Sequence, residues 1–258
     1  MRILLSNDDG INAPGLKALE AIARQLSNDI WIVAPELDQS GASHSLTLRD
    51  PLRLREVADK TFALSGTPTD CVLFGVNHLM KDQAPDLVLS GVNHGANIAD
   101  DITYSGTVAA AMEASLLHVP SIAISLCVAP GASAHWSTVE HYLPDIISKI
   151  SSSVMDPYTL MNINVPNLSS DSIKGVQVTH QGQRNYQDQL HECTDPRGKK
   201  YYWIGIVDHD GRGEPGTDLE AVRDGFISVT PLSLNFTHEK SLTRLNQLFS
   251  KDKTDEAA

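Results

Sequence analysis

The chain has 258 residues, 41% of them hydrophobic and 20% charged, the make-up of a globular protein with room for one large α/β domain or a domain with an appendage. Its net charge of −12 argues against a nucleic-acid-coating surface and against an anionic membrane as partner. The three cysteines, Cys71, Cys127 and Cys193, show no CxxC spacing, which predicts reduced thiols and a cytoplasmic protein. No apolar run is long enough to span a bilayer, and the one after Arg2 is too short for a secretory leader.

Arg2 to Ser6 reads as a short buried strand that Asn7-Asp8-Asp9-Gly10 ends abruptly. Pro14 to Leu26 reads as a helix, with Pro14 suited to the first turn and Leu16, Leu19, Ile22, Ala23 and Leu26 in an apolar stripe. Ile30 to Val33 is a second strand, followed by a loop from Ala34 to Ser45. Leu46 to Val57 alternates apolar and charged residues, as in a half-exposed strand broken at Asp50-Pro51. After a strand at Phe62 to Leu64, Thr67 is a natural N-cap and Pro68 a first helical residue for a helix through about Met80. Asp86 to Leu89 is strand, Ser90 to Tyr104 a loop rich in Gly and Asn, Thr107 to Leu117 an Ala-rich helix, Ser121 to Leu126 a strand and Trp136 to Ile150 a helix. This alternation predicts a largely parallel, doubly wound sheet, with Met161 to Val165 as its last strand. Beyond it, Val176 to Thr179, Tyr201 to Val207 and Phe226 to Val229 suggest a β-rich extension, and Glu239 to Leu248 an amphipathic final helix. The expected division is a core over residues 1–165 and an extension over 166–258.

The chemistry gathers where strands end. Neighbouring side chains on a strand point to opposite faces, so Asp8 and Asp9 can converge only in the turn beyond it, at the sheet edge where open α/β folds bind ligands. Two carboxylates forced together repel unless a cation or shared proton relieves them. Taken alone, Asn-Asp-Asp-Gly also reads as a polar Asx-capped turn. Ser40-Gly41 follows the second strand, and Ser90-Gly91-Val92-Asn93 with Gly95 and Asn97 follows a very apolar one. Together, Asp8, Asp9, Ser40 and Asn93 offer only oxygen donors, a set that suits Mg²⁺ or Mn²⁺ better than zinc. Ser105, Gly106 and Thr107 open the Ala-rich helix. They read either as an ordinary cap or as a site where helix N–H groups hold phosphate oxygens. The combination predicts hydrolysis of a phosphate monoester.

These motifs, together with Gly66-Thr67-Pro68-Thr69-Asp70 and Ser228-Val229-Thr230-Pro231-Leu232, closely resemble the SurE ("survival protein") family over most of the chain. The resemblance implies a Rossmann-like core and metal-dependent removal of phosphate from nucleoside 5′- and 3′-monophosphates, with polyphosphate shortening in some members. It implies one divalent ion per subunit on Asp8, Asp9, Ser40 and Asn93, and phosphate contacts at Asn97, Ser105, Gly106 and Thr107. It also implies homodimers or homotetramers built through the extension and an exchanged C-terminal segment. Asp8 and Asp9 are both candidates for a general base toward the attacking water. The main rival is a nucleotide-binding module without turnover, to which two carboxylates would bring nothing. Asp208-His209-Asp210-Gly211 has the opening of a calcium loop but no bidentate Glu at the required place, and reads as a polar hairpin. His44, His180, His191 and His238 read as isolated, and Glu113 as a pairing residue inside its helix.

Overall fold

The computed structural model describes residues 1–152, 155–184, 190–204 and 213–251. Among them the strands are β1 (Arg2–Ser6), β2 (Asp29–Pro35), β3 (Leu54–Ala58), β4 (Thr61–Leu64), β5 (Leu87–His94), β6 (Ser121–Cys127), β7 (Thr159–Pro166), β8 (Val176–Val178), β9 (Leu190–Thr194), β10 (Lys200–Ile204) and β11 (Ile227–Ser233). The helices are α1 (Pro14–Leu26), α2 (Pro68–Phe74, prolonged by a π turn over Gly75–Leu79), α3 (Gly106–Leu116), α4 (Trp136–Ser151), α5 (Asp218–Arg223) and α6 (Glu239–Lys251). Nine strands form one sheet in the order β3-β4-β2-β1-β5-β6-β7-β11-β8, and β9 pairs with β10 in a separate antiparallel hairpin.

From β4 to β7 the sheet is parallel. The chain winds outward from β1 to β2 and β4, then returns to the other side of β1 with β5. The reversal makes the crevice between the carboxyl ends of β1 and β5 a topological switch point, where ligands of such sheets bind. Helices cover both faces, which is why β1 and β5 are near-continuous apolar runs. Ile3 and Leu5 pack with Leu16, Leu19 and Ile22 of α1 and Val139, Leu143 and Ile147 of α4. On the opposite face Leu4 and Val88 pack with Val72 of α2 and Ala110 and Ala114 of α3.

Local chemistry sets the element ends. Thr67 accepts from the Asp70 amide while the Asp70 carboxylate accepts from the Thr67 amide, a reciprocal capping box with Pro68 in the first turn. A Cβ on Gly15 would lie 1.9 Å from the Val92 carbonyl, so only glycine lets α1 approach the end of β5. Gly91, at φ +136°, would bring a Cβ within 2.3 Å of the Ile124 carbonyl.

Several sequence expectations shift. β5 continues through His94, where the sequence suggested a loop from Ser90, because a register irregularity between Ser90 and Asn93 lets pairing with β6 resume. Met161 to Val165 is not the last strand: β11 pairs antiparallel with β7, and β8 parallel with β11, in the same sheet. Of Leu46 to Val57, only Leu54 onward is strand, since Asp50-Pro51 interrupts a run with no face to bury. Residues 205–212, which include the Asp208-His209-Asp210-Gly211 run, lie outside the described residues.

The edge of β1 and β2 is tied electrostatically. Asp29 accepts from Arg2 at 2.9 Å and from Lys60 at 2.8 Å. Hydrogen bonds from Lys60, then from Arg2, hold its carboxyl down at about 2. Because the folded value lies below the unfolded one, this stabilisation is present above about pH 4 and disappears as pH falls toward 2. Asp29 is 35% exposed, so solvent screening reduces its worth. Asp29→Asn is expected to cost about 0.5–1 kcal/mol in urea unfolding at pH 7, and the gap between variant and parent should close in acid through that window.

Candidate active site

The turn after β1 is fixed by its own residues. The Asn7 side-chain amide donates to the Gly10 carbonyl at 2.9 Å, and Gly10 adopts φ +96°. This bend brings both aspartates to one cleft of 260 Å³ at the carboxyl edge. Asp8, Asp9, Ser40 and Asn93 all line it, as do Asn97 and Ser105. Gly41, His94, Asp101 and Tyr104 complete the wall.

Asp8 is 4% exposed. Its carboxylate accepts from the Thr107 hydroxyl. Burial pushes its carboxyl up to about 6, against the lowering effect of Thr107, and the charge of Asp9 adds to the rise. Asp9 is half-buried and accepts from the His94 backbone N–H at 3.3 Å. Its carboxyl is also raised, chiefly by burial, with a further push from the charge of Asp38. Both carboxylates are therefore held in surroundings that disfavour their charge.

The neutral side chains on the wall keep acceptor oxygens uncommitted. The Ser40 hydroxyl donates to Asp38 at 2.6 Å, and the Ser40 amide donates to the same oxygen at 2.7 Å. Its hydroxyl lone pairs are thereby left as acceptors. The Asn93 amide nitrogen donates to the Gly95 carbonyl at 3.0 Å, leaving the side-chain oxygen as its acceptor end. The Gln39 amide donates to the Asp8 carbonyl at 2.8 Å, locking the Ser40 loop to the end of β1. Raised carboxyls beside neutral oxygen donors fit a hard divalent ion, which would reverse the local penalty. Among the described residues no group of three or more His, Cys, Asp or Glu side chains assembles as a metal cluster. A cation here would draw its remaining ligands from hydroxyl, amide and water oxygens.

The phosphate candidates divide. Ser105 caps α3, accepting from the Val108 amide at 3.0 Å, so the capping role is real. Thr107 is fully buried and its hydroxyl is spent on Asp8 rather than on the cleft. Gly106 is also absent from the cleft wall, but it lets α3 approach: a Cβ there would sit 2.8 Å from the Asp8 Cβ and 3.0 Å from its Oδ2. Asn97 is gripped on all sides. Its amide donates to Ser125 at 2.8 Å, its N–H to Asn164 at 2.9 Å, and its carbonyl accepts from Asn162 and Asn164 at 2.8 and 3.0 Å.

Sequence reasoning missed Asp38 and Asp101 as parts of this neighbourhood, and gave no role to His94 and Tyr104, which lie within the loop segments it did single out. It also missed Arg184, which holds Asp101 at 2.6 Å across 83 residues of sequence. His44 is not isolated: it meets Glu113 of α3 at 2.9 Å and anchors the loop that carries Ser40.

Two tests follow from the packing around Asp8. Its folded pKa lies above the unfolded value, so its contribution favours the metal-free protein at low pH and is lost as pH rises through about 6. Asp8→Asn should therefore raise the stability of metal-free protein at pH 8, by on the order of 2–3 kcal/mol, and change it little at pH 4; calorimetric melting at both pH values reads this. Gly106→Ala should keep the fold but displace Asp8, lowering the phosphate-monoester hydrolysis expected from the sequence about a hundredfold, the scale of an ångström-sized misplacement, as steady-state kinetics would show.

A family model described as "Survival protein SurE" matches residues 3–188. The chain is 51% identical over 249 residues to "5'-nucleotidase SurE" of Paramagnetospirillum magneticum, covering 96% of each protein. It is 52% identical over 252 residues to the protein of the same name from a Methylobacterium strain, covering 96% of this chain and 99% of the relative. Among solved structures, the SurE protein from Aquifex aeolicus superposes with a TM-score of 0.85 at 39% identity, over 96% of this chain and 99% of that one. With its motifs in order, its doubly wound sheet and its paired aspartates at the switch point, the chain belongs to the SurE family.

Proposed function

We propose that this protein is a 5′-nucleotidase: a metal-dependent phosphatase that hydrolyses nucleoside 5′- and 3′-monophosphates to nucleoside and phosphate. One observation carries the reading: Asp8, Asp9, Ser40 and Asn93 converge in one cleft beside the N-terminus of α3. The relatives' shared name supports the same activity. One divalent cation per subunit, Mg²⁺ or Mn²⁺, held by those four residues, supplies Lewis acidity toward a phosphoryl oxygen.

The chain's own groups divide the remaining work. Asp8, buried and bonded to Thr107, orients rather than moves. Asp9, half-buried on the cleft wall, is the carboxylate that can take a proton from an attacking water. The first turn of α3, at Ser105, Gly106 and Thr107, directs N–H groups and a positive dipole end toward phosphate oxygens. Asn97, whose backbone is held by Asn162 and Asn164, keeps a second amide hydrogen to give to the phosphate. A binding module without turnover is disfavoured by the same site, because two desolvated carboxylates beside an anion lower affinity unless a cation joins them.

In this reading residues 1–165 carry the chemistry and 166–258 supply oligomer contacts for a homodimer or homotetramer. Leu242, Leu245, Leu248 and Phe249 of α6 and Tyr202 and Trp203 of β10 are exposed, as an intersubunit surface requires. Among the described residues no helix is long and apolar enough to cross a membrane. A cytoplasmic location accords with the three free cysteines.

Purified protein should release phosphate from AMP only with Mg²⁺ or Mn²⁺ present, stop in EDTA, and recover when the metal is restored. Asp9→Asn should lower kcat at least about a hundredfold, the scale of a lost catalytic acid–base group. AMP binding without phosphate release under any metal would leave the nucleotide-binding module instead.

A further inference from the structure

One charged residue on the cleft wall has no part in the chemistry above. Asp101 sits on the 3₁₀ turn Ala99–Thr103, between Asn97 and the start of α3, and its side chain is 24% exposed. Its carboxylate is held by Arg184, whose Nε and Nη2 reach Asp101 Oδ2 at 2.9 and 2.6 Å. The Arg184 side chain is 2% exposed, so the pair is anchored from beneath. The turn itself is clamped from the C-terminal part of the chain. The fully buried Asp218 accepts from the Ala99 amide at 2.9 Å, Gln181 donates to the Ala99 carbonyl at 3.0 Å, and the Arg184 amide donates to Asp100 at 2.7 Å. A carboxylate so fixed has a defined direction before substrate arrives.

A carboxylate accepts hydrogen bonds and repels anions. At the phosphate end of a nucleotide it would oppose binding, and the cleft already holds two carboxylates there. Of the donors on a nucleoside monophosphate, the ribose hydroxyls are the ones common to every nucleobase, since base amino and ring N–H groups change position from one base to the next, and a single fixed carboxylate can serve them. We propose that Asp101, positioned by Arg184, accepts hydrogen bonds from the ribose hydroxyls of the substrate and so selects nucleotides over other phosphate monoesters. This inference rests on the phosphatase reading and adds to it a residue for substrate choice. Arg184 is a positioning residue: it touches Asp101, and Asp101 touches the substrate.

The test compares AMP, 2′,3′-dideoxy-AMP and phenyl phosphate with the wild-type protein and with Asp101→Asn, each with Mn²⁺. Wild type should show a KM for AMP about tenfold or more below that for the dideoxy compound, the value of hydrogen bonds to a charged acceptor. In Asp101→Asn, the preference in kcat/KM for AMP over both other substrates should fall by about the same factor. Equal KM values for AMP and the dideoxy compound in wild type would overturn the proposal. So would an Asp101→Asn effect equal on all three substrates, because that is the mark of a merely structural pair. Should the variant fail to fold, the wild-type ratio decides alone. If wild type hydrolysed neither AMP nor phenyl phosphate, the phosphatase reading would fall, and this inference with it; hydrolysis of both without discrimination would sink the inference only.

Discussion

Bringing two carboxylates to one point in a partly dehydrated cleft costs free energy twice, once for lost hydration and once for mutual repulsion. Asp8 and Asp9 meet that condition at the end of β1, and the arrangement of the whole carboxyl edge follows from it. The Asn7–Gly10 turn frees them from the alternation of the strand. Gly106 admits α3 against Asp8, and the Thr107 hydroxyl then partly repays its burial. Gln39 and Asp38 set Ser40, and Gly15 sets the end of β5 that carries Asn93. A fold selected for stability alone would place neutral residues at these positions. Keeping acids there makes sense when a divalent cation completes the site and an anionic substrate then approaches without net repulsion.

The same cleft depends on residues far along the chain. Asn162 and Asn164 of β7 hold the loop at Asn97, and Ser125 of β6 holds its side chain. Asp218, Gln181 and Arg184 hold the next turn. The C-terminal segment thus braces the wall from behind without lining it, because β11 and β8 continue the central sheet and place these side chains beside the turn at Ala99–Thr103. Changes at Gln181 or Arg184 have a physical route to the site through the turn that carries Asp101.

Much of this was legible in the sequence, for local reasons. Pro14, the Leu16–Leu19–Ile22 stripe and the Thr67-Pro68 start are signals written within a few residues, and α1 and α2 begin where they indicate. The site residues at strand ends were legible because β1, β2 and β5 are strongly apolar and stop at polar turns. What depended on distant pairing was not. β9 is an exposed strand of mixed residues with no buried face to impose a pattern. The prolongation of β5 to His94 requires a register shift against β6. The commitment of Thr107 to Asp8, the His44–Glu113 contact and the Arg184–Asp101 pair join residues 99, 69 and 83 positions apart, and no local spacing announces them.

If Asp8 and Asp9 are kept together for a cation, the protein must bind one. Titrating Mn²⁺ into metal-free protein by calorimetry tests it without any reliance on turnover. One site per chain is expected, with binding that weakens as pH falls through about 6 because protons compete at Asp8, and that is lost in an Asp8→Asn, Asp9→Asn double variant. Undiminished binding in the double variant, or a folded, active parent protein that takes up no divalent ion, would contradict it.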